Sequence, residues 1–248
     1  MKLIKNIAIL FFDIVDKYLH QKRIINFLKE NLKEINVFLD IGSHKGTYTD
    51  LILNNLTVTE KLLLVEPQQD IYKYIKNKYK NNKDIIIFNT ALSNKEKLLT
   101  LFINKHDLTT SLTNIDKKNK YLNLKARLFG GSLEKMIVKK KKIKTLNLKK
   151  LLNKAKIKRV DLAKIDTEGH ELQVLQGAGD FLKKGIKYLI IEFHNSDIFL
   201  NYEPLEIDKY LKKNNFILKK TFKFPFTTWE DRIYLNKRFK NEHSRTPS

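Results

Sequence analysis

The sequence predicts an α/β protein with a doubly wound, mostly parallel, seven-stranded sheet and an N-terminal helical extension. Three observations favour this fold. Short apolar runs alternate along the chain with stretches of helical periodicity. A glycine turn joins the first run to the helix that follows it. The last two runs follow each other without a helix between them, which is typical of an antiparallel sheet edge.

The seven apolar runs and the helical stretches can be placed along the chain. The strands are predicted at residues 36–41, 61–66, 85–89, 160–166, 188–193, 216–222 and 232–235. Helices are predicted at 3–19, 21–31, 47–54, 70–79, 146–154, 167–178 and 204–213. An alternating stretch at 98–104 is expected to form a further strand in a hairpin.

These elements divide the chain into three parts. Residues 1–35 form the helical extension, and residues 36–238 form the sheet domain. An insertion at about 105–142 is expected to lie over the functional site, because long segments of this kind are often functional. The lysine run within it, Lys139 to Lys142, is interpreted as a solvated edge. The polar residues 239–248 are expected to be a disordered tail.

Composition excludes several classes of function. The 248 residues contain no cysteine, so disulfides, thiolate metal sites and cysteine nucleophiles are excluded. We find no run of membrane-spanning length and no signal peptide, and a cytoplasmic protein is the default expectation. The apolar helix at 3–19 caps the core in the simpler interpretation, and it contacts a membrane surface or another copy in the alternative. The oligomeric state stays open.

The formal net charge of +22 suggests nucleic-acid binding at first sight. Only six of the 49 basic residues are arginine, however, and arginine makes the forked contacts favoured in phosphate and base recognition. The chain is also rich in Asn and Ile, so the lysines reflect a general compositional bias. We therefore expect no specific nucleic-acid partner.

The glycine turn indicates the kind of ligand. It contains Asp40, Gly42 and Gly46, and it fits neither the dinucleotide fingerprint nor the P-loop pattern. A carboxylate before the turn would repel a pyrophosphate and attract an ammonium or a hydroxyl. Glu66 ends the next predicted strand, near the place expected for an acid that holds a ribose. Both features favour S-adenosylmethionine over an ordinary βαβ unit with surface acids.

The blocks FLDIGSHKGTYT, LLLVEP, IIIFNTALSN and VDLAKIDTEGHELQVLQGA occur in this order. Together they resemble the FkbM-type S-adenosylmethionine-dependent methyltransferases over residues 36–195. The resemblance implies the class I, Rossmann-like methyltransferase fold and O-methylation of a sugar, polysaccharide or natural product. It also implies that the cofactor is held by Asp40, Gly42, Ser43, His44, Gly46, Glu66, Asn89, Thr90, Ala91 and Asp166. Lys164, Asp166, Glu168 and Glu171 match the family signature.

Candidate catalytic residues lie at the carboxyl ends of predicted parallel strands, where such sheets bind ligands. They are Asp166, Glu168, Glu192 and His194. A hydroxyl acceptor must lose a proton, and the imidazole of His194 is the base that we expect. A magnesium site from Asp166, Glu168 and His194 is conceivable, but we expect no metal. Helix capping is the competing interpretation for Glu168.

Two other functions stay open. One is methylation of RNA, although the chain lacks the Pro-Pro loop of amino-directed nucleic-acid methyltransferases and the cysteine needed for cytosine C5 methylation. The other is an inactive cofactor-binding protein, because Asn147 stands where the family usually has aspartate. Asparagine would serve equally well if that residue only caps a helix.

The interpretation that the lysines reflect composition, and not nucleic-acid binding, can be tested directly. If the lysines are compositional, RNA and DNA should bind only at about 50 mM salt and dissociate by about 200 mM, since few phosphates are engaged specifically. Fluorescence anisotropy with labelled oligonucleotides at both salt concentrations measures this. Tight, sequence-dependent binding at the higher concentration would contradict it.

Overall fold

The computed structural model describes most of the chain. The described residues are 19–32, 34–104, 110–114, 116, 118–119, 123, 137–194, 198–200, 202–225 and 228–243. The predicted helix at 3–19 falls almost wholly outside them, and with it the proposed membrane contact. Among the described helices, none is long and apolar enough to cross a membrane.

The elements follow in βα order. The helices are α1 (Gln21–Asn31), α2 (Thr47–Asn55), α3 (Gln69–Lys78), α4 (Leu148–Lys154), α5 (Glu171–Gly177), α6 (Asp180–Gly185) and α7 (Pro204–Lys213). The strands are β1 (Ile35–Ile41), β2 (Val58–Val65), β3 (Ile85–Phe88), β4 (Ala91–Leu92), β5 (Leu98–Asn104), β6 (Ile137–Leu146), β7 (Val160–Ile165), β8 (Ile186–His194), β9 (Phe216–Lys223) and β10 (Trp229–Asn236). A 3-10 helix spans Lys237–His243.

The seven-stranded sheet has the order β3-β2-β1-β7-β8-β10-β9, and this confirms the fold class. All pairs up to β8 are parallel, whereas β10 runs antiparallel to both neighbours. Residues of the central strands alternate between two apolar clusters, one on each face of the sheet. Leu39 and Ile165 belong to one cluster, and Phe38 and Leu162 belong to the other. The sheet is therefore covered on both faces, which explains why its central strands are apolar throughout.

The lysine run lies in a different place from the predicted one. Lys139 to Lys142 belong to β6, which is the middle strand of a separate sheet with the order β4-β6-β5. Strand β5 forms at the predicted residues 98–104 and pairs antiparallel with β6, the next strand in the described part of the chain. The four lysines are exposed, but the strand that carries them is the middle strand of its sheet and not the edge that lysines commonly protect.

Part of the predicted tail is ordered. Phe239 is buried, and the Arg159 guanidinium lies 4.8 Å from the centre of its ring. Glu242 accepts hydrogen bonds from the same guanidinium at 2.9 and 2.6 Å and pairs with Lys187 at 3.1 Å. The expectation of disorder was wrong for residues 239–243. Within this polar segment, Phe239 and Glu242 contact residues of the sheet domain and hold the segment in place. Residues 244–248 lie outside the described part.

Asn147 caps helix α4. Its side-chain oxygen accepts a hydrogen bond from the backbone N–H of Lys150 at 2.8 Å, and its own backbone is extended. This satisfies one of the free donors at the helix start. The departure from the family pattern therefore replaces one capping residue by another of nearly equal strength.

We expect Asn147→Asp to leave the free energy of unfolding within about 0.5 kcal/mol of the original, since both residues cap well. Asn147→Ala should lower it by about 0.5–2 kcal/mol, because the N–H of Lys150 loses its acceptor. Urea unfolding followed by circular dichroism measures both values. Equal stability of all three proteins would show that the cap contributes little.

Candidate active site

The turn after β1 can be built only with glycine at position 42. Gly42 has a φ of +83°, and a Cβ atom placed on it would lie 1.8 Å from the carbonyl oxygen of Asp166. Its N–H donates to the carbonyl of Val65 at 3.0 Å. The ends of β1, β2 and β7 are thus drawn together at one point, and a side chain here would force β1 and β7 apart.

Gly46 begins helix α2 with a φ of +76°. A Cβ atom there would lie 2.3 Å from the hydroxyl of Tyr79, which donates to the carbonyl of Gly46 at 2.9 Å. The close approach that requires this glycine is therefore to the Tyr79 side chain.

Glu66 is held by two backbone donors. One carboxylate oxygen accepts from the N–H of His44 at 3.0 Å, and the other accepts from the N–H of Gln68 at 2.7 Å. Glu66 is 3 % exposed, so its charge is largely removed from water. The side chain of Asn89 donates to the carbonyls of Glu66 and Pro67 at 2.9 and 3.3 Å and so supports this turn from outside.

A cavity of about 380 Å³ opens over these strand ends, within the range of about 300–1,000 Å³ that is usual for small-molecule sites. Ten predicted site residues line it: Asp40, Gly42, Ser43, His44, Glu66, Thr90, Ala91, Asp166, Glu168 and Glu192. Gly46, Asn89 and His194 are outside the lining. Their predicted direct roles remain predictions, and their contacts in this structure are with other protein groups.

Asp40 is buried at the bottom of the cavity, where its carboxylate accepts a hydrogen bond from the Thr49 hydroxyl at 2.6 Å. Burial raises the pKa of Asp40 to about 6, against the opposing effects of Thr49 and the Lys164 ammonium. A cationic ligand group next to this carboxylate would favour its ionised form.

Lys164 brings a buried positive charge to the end of β7. Its ammonium donates to Asp166 at 2.8 Å, lies 3.9 Å from an oxygen of Asp231, and lies 5.1 Å from the centre of the Tyr48 ring. Burial lowers the pKa of Lys164, but the charges of Asp166, Asp231 and Glu192 outweigh burial and hold the pKa well above its usual range. The ammonium therefore stays charged and orients the carboxylates around it.

Three predicted residues lie together at the ends of β7 and β8. The Nε2 atom of His194 is 3.3 Å from Glu192 and 3.5 Å from Glu168, and the three side chains offer ligand atoms within 4.8 Å of one another. Burial and the neighbouring Asp166 carboxylate raise the pKa of Glu192 well above its usual range. Two carboxylates and an imidazole are a donor set that could accept a divalent cation.

The turn between β7 and α5 depends on Glu171. One of its carboxylate oxygens accepts from the N–H groups of Thr167 and Gly169 at 2.9 and 3.1 Å. Burial raises the pKa of Glu171 to about 7. Glu168 has a φ of +54°, so helix α5 starts at residue 171 instead of at the predicted residue 167. The N-cap of α5 is His170, whose side chain makes no capping hydrogen bond, and Glu171 orders the turn that precedes the helix.

The described part of the insertion lies against this turn. Ser111 and Thr113 donate their hydroxyls to the carbonyls of Glu168 and Gly169. Residues 110–112 line the cavity, whereas most of the predicted insertion at about 105–142 lies outside the described residues. On the same side, Nε2 of His170 lies 3.0 Å from the Ser93 hydroxyl, and burial lowers the pKa of His170 to about 4.

Sequence reasoning missed three lining residues at the other side: His20, Trp229 and Asp231. Asp231 lies opposite Glu192, and Trp229 lies opposite His194, across the antiparallel pair of β8 and β10. Antiparallel pairing brings the amino end of β10 to the sheet edge that holds the carboxyl ends of the parallel strands. The sequence feature that could have indicated them is the tryptophan and the aspartate at the start of the last strand.

Comparison with protein-family profiles matches residues 40–218 to the Methyltransferase FkbM domain. The chain belongs to this family. The resemblance inferred from the sequence blocks is thereby confirmed, and with it S-adenosylmethionine as the cofactor of this FkbM methyltransferase domain. A comparison with curated protein sequences found no match.

Solved structures support the fold. An FkbM methyltransferase from Methylobacillus flagellatus KT aligns with a TM-score of 0.52 and 14 % identity over 81 % of this chain, which spans 43 % of that protein. Magnesium protoporphyrin IX methyltransferase from Synechocystis PCC 6803, solved with bound S-adenosylmethionine, aligns with a TM-score of 0.50 and 11 % identity. That alignment covers 94 % of this chain and 83 % of the other. Both are similar to this chain in fold.

Two glycines provide a matched test of the turn. Gly42→Ala should weaken S-adenosylmethionine binding at least about tenfold, since Cβ and the Asp166 carbonyl cannot occupy the same space. Gly179 also has a positive φ, but its nearest contact would be 3.8 Å away. Gly179→Ala should cost about 1–3 kcal/mol of stability through backbone strain and leave affinity unchanged.

Calorimetric titration of both folded variants measures the affinities, and circular dichroism gives the folded fraction for each. Normal cofactor affinity in Gly42→Ala would contradict the importance of this contact.

Proposed function

We propose that this chain is an S-adenosylmethionine-dependent O-methyltransferase that modifies a hydroxyl of a small polar acceptor, such as a sugar, a polysaccharide end or a natural product. The observation that carries the proposal is the division of the cavity about β1. Glu66 and Thr90 line it from the β2 and β3 side, whereas Asp166, Glu192 and Asp231 line it from the β7, β8 and β10 side.

The β2 and β3 side suits the nucleoside part of the cofactor. Both oxygens of Glu66 are oriented by backbone donors, and a carboxylate oxygen can accept more than one hydrogen bond, such as one from a ribose hydroxyl. No Gly-Lys-Ser/Thr sequence follows the turn to hold a phosphate, and Asp40 places a carboxylate there. These features support a ligand with an unphosphorylated ribose and a cationic end.

The β7, β8 and β10 side suits a hydroxyl acceptor. Methyl transfer requires the acceptor oxygen in line with the methyl group and the sulfur, so positioning supplies much of the rate. The bound cofactor supplies the electrophilic methyl group. The carboxylates of Asp166, Glu192 and Asp231, with the Lys164 ammonium among them, can hold several hydroxyls of one molecule. This density of charged groups favours a polyhydroxylated acceptor.

Trp229 adds an apolar surface to this side. It is half-buried, lines the cavity and stacks on Phe224 at 4.3 Å between ring centres. Amphipathic rings of this kind contact the C–H faces of sugars while polar groups bind their hydroxyls. The capping function of Asn147 removes the sequence reason for suspecting an inactive protein.

The test is methyl transfer by the purified full chain. With S-adenosylmethionine and a panel of sugars, nucleotide sugars and polysaccharides, we expect release of S-adenosylhomocysteine and a methyl ether in the product, identified by mass spectrometry. Glu66→Gln should raise the cofactor Kd at least about tenfold, because the amide cannot accept two backbone donors and a ribose together. Glu60→Gln, on the exposed start of the same strand, is the matched control.

Methylation of an amine or of RNA under the same conditions, without any hydroxyl acceptor, would overturn the proposed acceptor class. Unchanged cofactor affinity in Glu66→Gln would overturn the assignment of the nucleoside side.

A further inference from the structure

His20 is fixed at the acceptor side of the cavity. It immediately precedes α1, is 2 % exposed and lines the cavity. Its ring meets Phe224 and Trp229 edge-on, with centres 5.3 and 5.0 Å away. Its Nε2 atom lies 2.8 Å from a carboxylate oxygen of Asp231, which is itself 3 % exposed. The imidazole is therefore held by a hydrogen bond on one side and by aromatic edges around it.

The partner of Nε2 determines the tautomer. A carboxylate accepts, so Nε2 of His20 carries the hydrogen, and Nδ1 of the neutral ring has a lone pair. Nδ1 is buried and has no hydrogen-bond partner among the residues that the structure describes. A buried acceptor without a donor costs about 1–3 kcal/mol, and such groups in a cavity wall indicate a role in binding or chemistry.

Asp231, which pairs with the His20 ring, also contacts other residues of the site. Asp231 lies opposite Glu192 in the β8–β10 pair, and its second oxygen is 3.9 Å from the Lys164 ammonium. Asp231 thus has one oxygen on the imidazole and the other toward the charge that orients Asp166. An aspartate on one imidazole nitrogen, with the other nitrogen left to accept a proton, is the arrangement that makes histidine an effective base in hydrolases.

We propose that His20 is the general base of the reaction and that Asp231 is its positioning residue. The inference rests on the proposed function. The acceptor hydroxyl transfers its proton to Nδ1 of His20, and an electron pair of its oxygen forms the new bond to the methyl carbon. The carbon–sulfur bond breaks, and its electron pair stays on sulfur and neutralises the sulfonium. Asp231 stabilises the imidazolium, which then returns the proton to solvent.

The other histidine considered for this role is less well placed. His194 is outside the cavity lining, and its Nε2 atom lies against Glu192 and Glu168. His20 and Asp231 also lie outside residues 40–218, the segment that matches the family. The base is therefore supplied by the flanking parts of the chain, next to Trp229 and the acceptor.

Substitution tests the base directly. His20→Gln can still donate to Asp231 but has no basic nitrogen, so turnover should fall by about 10²-fold or more with cofactor affinity within about twofold. Added imidazole should restore part of the turnover of His20→Ala, which a purely structural role would not allow. Turnover of His20→Gln within about threefold of the original, in a folded protein, would overturn the proposal.

The tautomer of His20 can be measured without an activity assay. Two-bond ¹H–¹⁵N spectra of the full chain, with His20 assigned from His20→Gln, should show a neutral ring protonated at Nε2. Asp231→Asn should shift the ring toward the Nδ1–H form and lower turnover, as expected when the orienting carboxylate is lost. Asp70→Asn, an exposed acid on α3, is the matched control and should change neither property.

The two proposals fail differently. If the original chain methylates no hydroxyl acceptor, the proposed function fails while the spectra still report on His20. A ring protonated at Nδ1 in the original protein would overturn the assignment of His20 as base, whatever acceptor is found.

Discussion

The buried ammonium of Lys164 is the charge on which the rest of the site depends. It donates to Asp166, lies 3.9 Å from Asp231, and lowers the pKa of Asp40 against the effect of burial. Carboxylates that leave water together repel one another, and removing one partner from such a cluster leaves an uncompensated charge. Burial raises the pKa of Asp166, but the ammonium outweighs burial and holds that pKa below its usual range, and it also offsets the repulsion that Asp166 and Asp231 exert on Glu192.

The cavity lies at one edge of the main sheet. The crossing point between β1 and β7 is where the strand order reverses, and such points are where α/β sheets bind ligands. The segment that matches the family contains the glycine turn and Glu66, whereas His20, Trp229 and Asp231 line the cavity from beyond it. Under the proposed function, the family segment holds the cofactor and contributes Asp166 and Glu192 to the acceptor side, and the flanking segments add His20, Trp229 and Asp231.

Most of the main sheet could be predicted because its strands are buried on both faces and read as apolar runs. The errors fall where a local pattern is weak. Strand β6 was missed because Lys139 to Lys142 show no alternation, and its partners β4 and β5 are distant in sequence. The start of α5 was placed too early because the positive φ of Glu168 and Gly169 comes from the hydrogen bonds of Glu171, which a helical pattern does not report.

The sequence by itself determined the fold class, the family and the chemical kind of cofactor, because these depend on local signals: apolar runs, a glycine turn and acids at strand ends. Only the tertiary structure decided which of those side chains share a cavity. Glu168, Glu192 and His194 converge, with His194 facing the two carboxylates. His20 and Asp231, 211 positions apart, form a pair beside Trp229. Pairing between distant segments depends on the order and direction of the strands, and no local pattern in the sequence encodes that geometry.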